Sequence, residues 1–306
     1  MSPVESNYVW MNGSLVPESE AKVPILTHAL HYGTGVFEGI RAYHGEDNVY
    51  IFRLREHIQR MLNSAKVYQF NTRYTVEELC GATVELLRKN EIRDSAYIRP
   101  IIFVGSRPGG IELGYTGFPV EAAITVFPFK AYFDKTALKV CVSQWRRISE
   151  ESMPPQAKAC GNYLNSSLAK FEARSNGYDE AILLDTRGSV CEGSGENIFL
   201  AKEGRLFTPP VSSSILEGIT RDCVFHMVKD LGLDLIERAV ARAELYTCDE
   251  LFFTGTAAGV TPILEVDRRA VGNGEVGRMT ALIRDEYNRI VNGKQTKYFH
   301  WLTPVY

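Results

Sequence analysis

The irregular succession of strand-like and helix-like segments restricts the possible folds more than any other feature of the sequence. Alternating or continuous apolar residues predict strands at 8–11, 36–43, 49–53, 96–104, 121–127, 138–145 and 180–184. Helical spacing of apolar residues predicts helices at 55–67, from 75, at 162–176, from 218 and at 278–292. Because the two patterns do not alternate strictly, a doubly wound sheet does not fit, and we predict an α+β fold.

Two local motifs place the ends of predicted elements. Asn12 and Gly13 form an Asn-Gly pair, which favours the positive φ angles of a hairpin turn. Thr75 and Glu78 have the spacing of a capping box, which indicates the first turn of a helix.

The length of the chain and one break in its pattern predict two domains. A chain of 306 residues has room for about two domains of ordinary size. The regular patterns stop near residue 128 and resume after residue 135. We therefore predict a small N-terminal domain at 1–128, a connection at 129–135 and a larger C-terminal domain at 136–306.

Charge and composition argue against nucleic acid and membrane partners. The formal net charge is -3, so the sequence offers no extended basic surface. No apolar run approaches the roughly 20 residues that a spanning helix needs. The first ten residues lack the basic and apolar regions of a signal peptide, and the six cysteines include no CxxC pair. We expect a cytoplasmic protein.

Four segments carry residues that suit the binding of an anionic small molecule. Lys158 lies among small residues before a predicted helix, and Glu192 and Glu196 lie in a glycine-rich turn between two predicted strands. The segment GITRD, with Thr220, begins a helix whose N–H groups suit a phosphate, and TGTAA, with Thr256, follows a buried strand. Each segment alone is more often structural, since most lysines are solvated and short motifs recur by chance. Their joint presence is the stronger indication.

Nine segments of the chain, in a fixed order and spacing, carry a family resemblance. In chain order they are YVWMNG, HALHYGTGVFEGIR, FRLREHIQRMLNSAK, AYIRP, AKACGNYLNS, EGSGENIF, TPP, GITRD and FTGTAA. Together they resemble the branched-chain amino acid aminotransferases of the fold-type IV pyridoxal-phosphate family, and the resemblance covers essentially the whole chain. It implies a two-domain fold-type IV enzyme with pyridoxal 5'-phosphate at the domain interface, assembled as at least a homodimer. The implied partners are small molecules, namely amino acids and 2-oxo acids. The implied reaction is reversible transfer of the amino group of L-leucine, L-isoleucine or L-valine to 2-oxoglutarate by a ping-pong mechanism.

The resemblance implies residues that hold the ring of the cofactor. Lys158 would form the Schiff base, which requires an unprotonated amine, and lysine loses its proton more readily where water is excluded. Glu192 would pair with the pyridine nitrogen and keep it protonated, so that the ring withdraws electrons. Tyr163 would hydrogen-bond the ring hydroxyl oxygen.

The implied phosphate site combines an arginine with the start of a helix. The arginine lies off the apolar stripe of its predicted helix, and a guanidinium forms bidentate contacts with phosphate. The residues of this site are Arg60, Ile219, Thr220 and Thr256.

The resemblance also implies a substrate site that accepts both an anion and a hydrocarbon. The hydroxyl of Tyr97 and the amides of Thr256 and Ala257 would bind the substrate carboxylate. Tyr97 and Arg99 are two residues apart on a predicted strand, so both project from one face, and Arg99 would bind a second carboxylate. The implied apolar wall consists of Tyr32, Phe37, Phe129 and Tyr132, although core packing explains aromatic residues equally well.

Three departures from the family pattern concern the substrate. Gly259 stands where relatives often carry glutamate, Phe129 stands where tryptophan is frequent, and the segment 105–115 matches poorly and adds Arg107. We interpret these departures as a hypothesis of a wider substrate range that includes aromatic amino acids or primary amines.

Several alternatives remain open at the level of sequence. His28 and His31 suggest a metal pair, but no further ligand lies at suitable spacing, so we predict loop hydrogen bonds and no metal. An aminodeoxychorismate lyase would keep Lys158 and Glu192 without the Tyr97 and Arg99 pattern. A D-amino acid aminotransferase would differ in how it orients the substrate carboxylate. A non-enzymatic protein would give no function to Lys158, Glu192 and the implied phosphate-binding residues.

Overall fold

The computed structural model describes residues 7–129 and 132–306. Its strands are β1 (Tyr8–Met11), β2 (Ser14–Pro17), β3 (Gly35–Phe37), β4 (Ile40–His44), β5 (Val49–Phe52), β6 (Ala96–Val104), β7 (Val120–Pro128), β8 (Leu138–Arg146), β9 (Glu180–Leu184), β10 (Val190–Gly193), β11 (Asn197–Lys202), β12 (Arg205–Thr208), β13 (Leu235–Glu237), β14 (Glu250–Gly255), β15 (Gly259–Val266), β16 (Arg269–Ala270) and β17 (Leu302–Pro304). Its α-helices are α1 (His28–Tyr32), α2 (Leu54–Val67), α3 (Val76–Lys89), α4 (Tyr163–Ser175), α5 (Ile219–Asp230) and α6 (Arg278–Val291). Short 3-10 helices lie at Glu18–Glu20, Cys160–Asn162, Val211–Ser213, Arg242–Tyr246 and Thr296–Trp301. Among the described helices, none combines the length and apolar character that crossing a membrane requires.

The described chain divides into two compact units. The first comprises residues 7–129, Ala157–Gly161 and Ile290–Tyr306, and the second comprises residues 132–156 and Asn162–Arg289.

The first unit is built on an antiparallel sheet with the order β17-β5-β4-β6-β7-β1-β2, in which β3 also pairs with β6. The final strand β17 pairs with β5, so the last residues of the chain form one edge of this sheet. Helices α2 and α3 pack on the sheet through apolar stripes, because buried residues recur at helical spacing in both. Leu54, Ile58 and Met61 contribute the α2 side of this core.

The two local motifs read from the sequence are confirmed. Asn12 and Gly13 have φ angles of 51° and 100° and join β1 to β2. The hydroxyl of Thr75 accepts the N–H of Glu78, and the Glu78 carboxylate accepts the N–H of Thr75. The turn between β1 and β2 and the start of α3 are therefore determined by the residues within them.

The predicted continuous strand at 36–43 is wrong. The structure divides it into β3 and β4, with Glu38 and Gly39 between them. β3 and β4 pair with β6 in one register, Phe37 with Ile101 and Ile40 with Ile98, and the N–H of Glu38 still donates to the Pro100 carbonyl at 3.0 Å. Pro100 has no N–H to donate in return, so the ladder is interrupted at this point. The apolar pattern of 36–43 alone does not reveal such an interruption.

The second unit is built on a mixed sheet with the order β10-β9-β8-β15-β14-β11-β12-β13. The pairs β8–β9, β8–β15 and β12–β13 are parallel, and the remaining pairs are antiparallel, including β16 on β15. Helix α4 packs on β8 and β9, and helix α5 packs on β14. One antiparallel sheet and one mixed sheet, with helices that do not alternate strictly with strands, confirm the α+β prediction.

The segment that carries Lys158 belongs to the first unit. Ala159 forms an isolated bridge with Val36, and the N–H of Phe37 donates to the Lys158 carbonyl at 3.0 Å. The predicted domain at 136–306 contains this segment and Ile290–Tyr306, so the compact units differ from the predicted boundaries. Within the predicted connection at 129–135, residues 130 and 131 lie outside the described residues.

Candidate active site

Lys158 is held by its main chain on both sides. Its N–H donates to the hydroxyl of Ser64 at 3.0 Å, and its carbonyl accepts from Phe37. The neighbours Ala157 and Ala159 are buried, whereas Lys158 itself is half-buried. Its Nζ lies 5.1 Å from the centroid of the Phe37 ring. The amine is therefore placed at the end of β3 by an anchored backbone.

One face of helix α2 carries three polar residues of this site. His57, Arg60 and Ser64 are spaced at i, i+3 and i+7, which places them on a common face. Arg60 donates from Nε and Nη2 to the two oxygens of Glu38 at 2.6 and 2.9 Å. His57 Nδ1 lies 2.7 Å from Glu38 Oε2. The same face thus contacts the β3–β4 turn and, through Ser64, the Lys158 segment.

The buried charges on this face compensate one another. Burial alone would raise the pKa of Glu38, but the positive charge of Arg60 and the contact with His57 lower that pKa well below its usual range. Burial lowers the pKa of His57 despite the adjacent Glu38 carboxylate. At neutral pH the site therefore contains an ionised Glu38, a neutral His57 and a charged Arg60.

Strand β6 presents the candidate carboxylate receptors. Arg99 Nη2 donates to the Tyr97 hydroxyl at 3.3 Å, so the two side chains lie on one face, as their spacing predicts. The Arg99 guanidinium carbon lies 4.9 Å from the Phe37 ring centroid. A Cβ atom at Gly39 would lie 1.9 Å from the Tyr97 hydroxyl, so this approach requires glycine in the β3–β4 turn.

The aromatic residues of the predicted wall are placed differently from one another. The Phe129 ring lies 5.2 Å from the Tyr97 ring, next to the carboxylate receptors. Tyr32, at the end of α1, is 42% exposed and packs its ring 4.6 Å from that of His28. Tyr132 belongs to the second unit and is 43% exposed. Within the first unit, the structure brings together Phe37, Tyr97, Arg99, Phe129 and Lys158.

Glu192 is buried in the second unit, where two N–H groups donate to its carboxylate and one arginine forms an ion pair with it. Arg147 Nε lies 2.9 Å from its Oε1, and both side chains are at most 6% exposed. The side-chain amide of Asn197 and the N–H of Leu216 donate to its Oε2 at 3.0 and 3.1 Å. Asn197 pairs with Glu192 across β10 and β11, whereas Arg147 follows β8. The carboxylate is thus held in one orientation by a cation and two N–H groups.

The start of helix α5 adjoins the Glu192 site. Gly218 is the N-cap of this helix, and Ile219 and Thr220 form its buried first turn. A Cβ atom at Gly218 would lie 1.9 Å from Asn197 Oδ1, so the helix start packs directly on the residue that binds Glu192. Helix N-termini carry unsatisfied N–H groups and partial positive charge, which favour a phosphate.

Thr256 and Ala257 follow strand β14 at the same region of the second unit. Thr254 of β14 pairs with Asn197 of β11, and Thr256 lies two residues beyond it. The turn ends at Gly259, whose φ of 64° lies in the left-handed region. Glycine at position 259, where relatives often carry glutamate, suits this backbone conformation because it has no Cβ atom.

Tyr163 and Tyr132 border a common cleft of the second unit. Tyr163 is the first residue of α4. The cleft has a volume of about 390 Å³ and is lined by Tyr132, Tyr163, Ser166, Ser167, Lys170, Phe171, Arg174, Ser194 and Gly195. Since Ser194 and Gly195 follow directly after β10, the cleft adjoins the turn that begins at Glu192.

Four polar residues of the site were missed from the sequence, namely Glu38, His57, Arg147 and Asn197, which make the contacts above. Glu196, which stands with Glu192 in the glycine-rich turn, is buried there. Burial and the nearby charge of Glu180 raise the pKa of Glu196 to about 8. Glu38, His57 and Asn197 stand in three of the segments that resemble the family, whereas Arg147 had no such signal.

The two histidines considered as a metal pair form loop hydrogen bonds. His28 contacts the Thr34 hydroxyl at 2.7 Å and the Glu112 carbonyl at 2.9 Å, and His31 contacts the Ile25 carbonyl at 2.9 Å. Across residues 7–129 and 132–306, no group of three or more potential ligands is arranged for a metal ion. The predicted loop hydrogen bonds are confirmed.

Comparisons with known proteins assign the family. The model of the amino-transferase class IV family matches residues 35–266. A probable branched-chain-amino-acid aminotransferase from Aquifex aeolicus is 46% identical over 304 residues, which cover 98% of this chain and 97% of that protein.

Two solved structures have nearly the same fold. The branched-chain aminotransferase of Thermoproteus uzoniensis, crystallised with norvaline, superposes with a TM-score of 0.94 and 48% identity over 98% of this chain and 99% of that one. The T.th. branched-chain amino acid aminotransferase, complexed with N-(5'-phosphopyridoxyl)-L-glutamate, gives a TM-score of 0.94 and 43% identity over 99% of both chains. On this similarity, extended over nearly the whole chain, the protein belongs to the class IV aminotransferase family.

Proposed function

We propose that this protein is a pyridoxal-phosphate-dependent aminotransferase that reversibly transfers the amino group of L-leucine, L-isoleucine or L-valine to 2-oxoglutarate. The relatives support both halves of the reaction, because one was crystallised with norvaline and another with a phosphopyridoxyl-glutamate adduct. Within the chain, the observation that carries the proposal is the buried Glu192 carboxylate, oriented by Arg147, Asn197 and Leu216.

The donor set fits each part of the cofactor. Glu192 suits a protonated ring nitrogen, Tyr163 suits the ring hydroxyl, and Lys158 supplies the amine. Arg60 together with the first turn of α5, Ile219 and Thr220, suits the phosphate, and Thr256 completes this set. When bound, pyridoxal phosphate supplies an electron sink that stabilises negative charge at the substrate Cα.

Lys158 serves as the base and acid of the reaction. A half-buried amine on an anchored backbone can take a proton from the substrate Cα and later return one. The small neighbours Ala157 and Ala159 leave room for the long side chain to change position.

Glu192 keeps a positive charge on the ring nitrogen. Its carboxylate is buried, so its interaction with a cation is screened little by water. The fixed orientation requires no reorganisation when charge develops on the substrate, which favours the reaction.

The substrate residues separate an anionic from an apolar region. Arg99, which contacts the Tyr97 hydroxyl, binds the second carboxylate of glutamate or 2-oxoglutarate, and the Tyr97 hydroxyl with the amides of Thr256 and Ala257 binds the first. The rings of Phe37 and Phe129, with Tyr32 and Tyr132, contact the branched hydrocarbon. The Arg99 guanidinium lies over the Phe37 ring, so a cation and an apolar surface are adjacent. One site can therefore accept the anionic side chain of glutamate and the hydrocarbon side chain of a branched-chain amino acid.

Replacement of Lys158 tests the proposal. We expect Lys158→Ala to abolish the visible absorption of the bound cofactor and nearly all turnover, whereas Lys66→Ala, at an exposed lysine of α2, should retain both. A panel of amino donors with chiral analysis of the products measures the range, including aromatic amino acids and primary amines. Retained turnover in Lys158→Ala contradicts the assignment, and formation of D-amino acids favours a D-amino acid aminotransferase.

We also propose that the protein is a cytoplasmic homo-oligomer of at least two chains. The support for assembly is a group of exposed apolar side chains around α1: Ile25, Leu26 and Leu30 are 79, 44 and 59% exposed, and Leu113 is 76% exposed. His28 joins α1 to the segment of Leu113 through the Glu112 carbonyl. The support for a reducing compartment is that all six cysteines are free. Sedimentation equilibrium and cell fractionation test the two statements, and a monomer at micromolar concentration contradicts the first.

A further inference from the structure

The β3–β4 turn places a fully buried carboxylate against the candidate phosphate-binding arginine. Glu38 is 0% exposed, and both of its oxygens accept from Arg60. None of the roles derived above requires this glutamate, although a buried charge is unfavourable unless it is paired. Its placement therefore calls for a specific explanation.

The bidentate contact determines the orientation of the guanidinium. A guanidinium is planar, so two parallel N–H···O bonds from Nε and Nη2 determine its plane and the direction of its third nitrogen. Arg60 is otherwise a long side chain with many rotamers, and its side chain is 15% exposed. Glu38 thus selects one orientation before any ligand binds.

His57 adds a further contact to the Glu38 carboxylate, at the oxygen that also accepts from Arg60 Nη2. Its Nδ1 lies 2.7 Å from Glu38 Oε2, and both side chains are at most 1% exposed. The charged groups that act on His57 are Glu38, Arg60 and Lys158. Because burial keeps His57 neutral, it holds Glu38 by a hydrogen bond and adds no charge that competes with Arg60.

The support also reaches the lysine segment. The Ser64 hydroxyl donates to the Arg60 carbonyl at 2.9 Å and accepts the Lys158 N–H at 3.0 Å. Arg60 and Lys158 are thereby anchored to one face of α2. A displacement of this face would move the Arg60 guanidinium and the Lys158 amine together.

We propose that Glu38, supported by His57, is a positioning residue that holds Arg60 in the orientation that binds the phosphate group of the cofactor. This inference rests on the proposed function, because it assumes that pyridoxal phosphate is the ligand. It goes beyond that function in assigning the pre-organisation of the phosphate site to a carboxylate that does not contact the cofactor itself.

The test compares two ligands that differ only in the phosphate. Dissociation constants of pyridoxal 5'-phosphate and of pyridoxal are measured for the apo-protein by equilibrium dialysis. In Glu38→Gln we expect the constant for pyridoxal phosphate to rise about tenfold or more, as for the loss of a charge-assisted hydrogen bond, and that for pyridoxal to change less than about twofold. Glu77→Gln is the matched control, because it removes an exposed arginine contact of the neighbouring helix α3 with α2.

Three outcomes overturn the inference: an unchanged affinity for pyridoxal phosphate in Glu38→Gln, an equal loss for both ligands, or a wild-type protein that does not distinguish them. If Glu38→Gln fails to fold, Glu38→Asp is measured instead, since it keeps the charge but withdraws the carboxylate from Arg60. A selective loss of affinity for pyridoxal phosphate in Glu38→Asp supports the inference, and the absence of such a loss contradicts it. A wild-type protein that binds pyridoxal phosphate selectively but moves no amino group contradicts the proposed function alone.

Discussion

Removal of Arg147 should destabilise the protein far more than removal of an exposed arginine. Arg147 and Glu192 form an ion pair at 2.9 Å, and both side chains are at most 6% exposed. At an effective dielectric constant near 20, two charges at this distance attract by about 6 kcal/mol. Arg147→Met leaves the Glu192 carboxylate buried with the two N–H donors of Asn197 and Leu216.

The expected loss is about 3 kcal/mol in the free energy of unfolding at neutral pH. Removing one partner of a buried pair costs about 3 to 5 kcal/mol, because the other charge stays desolvated. We choose the lower end because Arg147 Nε and Nη1 are both buried without a hydrogen-bond partner among the described residues, so the ion pair lacks a well-aligned hydrogen bond from these two atoms.

Urea denaturation of the apo-proteins measures this loss. Arg205→Met is the control, since Arg205 pairs with Asp234 and both side chains are exposed, at 61 and 76%, and such pairs contribute about 1 kcal/mol or less. The double variant Arg147→Met/Glu192→Gln should recover much of the stability, because no unpaired charge remains. The reasoning is refuted if Arg147→Met loses no more than the control, or if the double variant loses the sum of the two single changes.

Three further changes test other parts of the site. Arg99→Leu should raise the KM for 2-oxoglutarate at least tenfold and leave the KM for L-leucine within about threefold, because only the former carries a second carboxylate; steady-state kinetics with both substrates measure this. Gly39→Ala should lower the melting temperature and raise the KM for 2-oxoglutarate, since its Cβ would lie 1.9 Å from the Tyr97 hydroxyl; unchanged values of both would contradict the close approach. Glu196→Gln should flatten the dependence of stability on pH: the pKa of Glu196 is raised from 4.5 to about 8 in the folded state, so its contribution is complete below pH 4.5 and is lost as the pH rises through 8. Urea midpoints between pH 5 and 9 give this slope, and parallel curves for the wild type and the variant would exclude a raised pKa.

Local sequence was sufficient to predict the elements whose causes are local. The Asn12–Gly13 turn and the Thr75 cap require only the residues within them, and both occur as predicted. Strand periodicity likewise placed Tyr97 and Arg99 on one face of β6. Lys158 and Glu192 were selected by their segments and the family resemblance, since neither periodicity nor composition distinguishes a buried lysine from a solvated one.

The pairing of buried charges, in contrast, depends on long-range packing. Glu38 meets Arg60 because the turn after β3 lies against α2, and Arg147 meets Glu192 because β8, β9 and β10 are neighbours in one sheet. These partners are distant in the sequence, and no local pattern joins them. The interruption of the predicted strand at 36–43 also depends on a distant residue, because Glu38 lies opposite Pro100 of β6, which has no N–H to donate. Hydrophobic periodicity reports which face of an element is buried, whereas an ion pair depends on where two separate elements meet, and that is determined only when the whole chain packs.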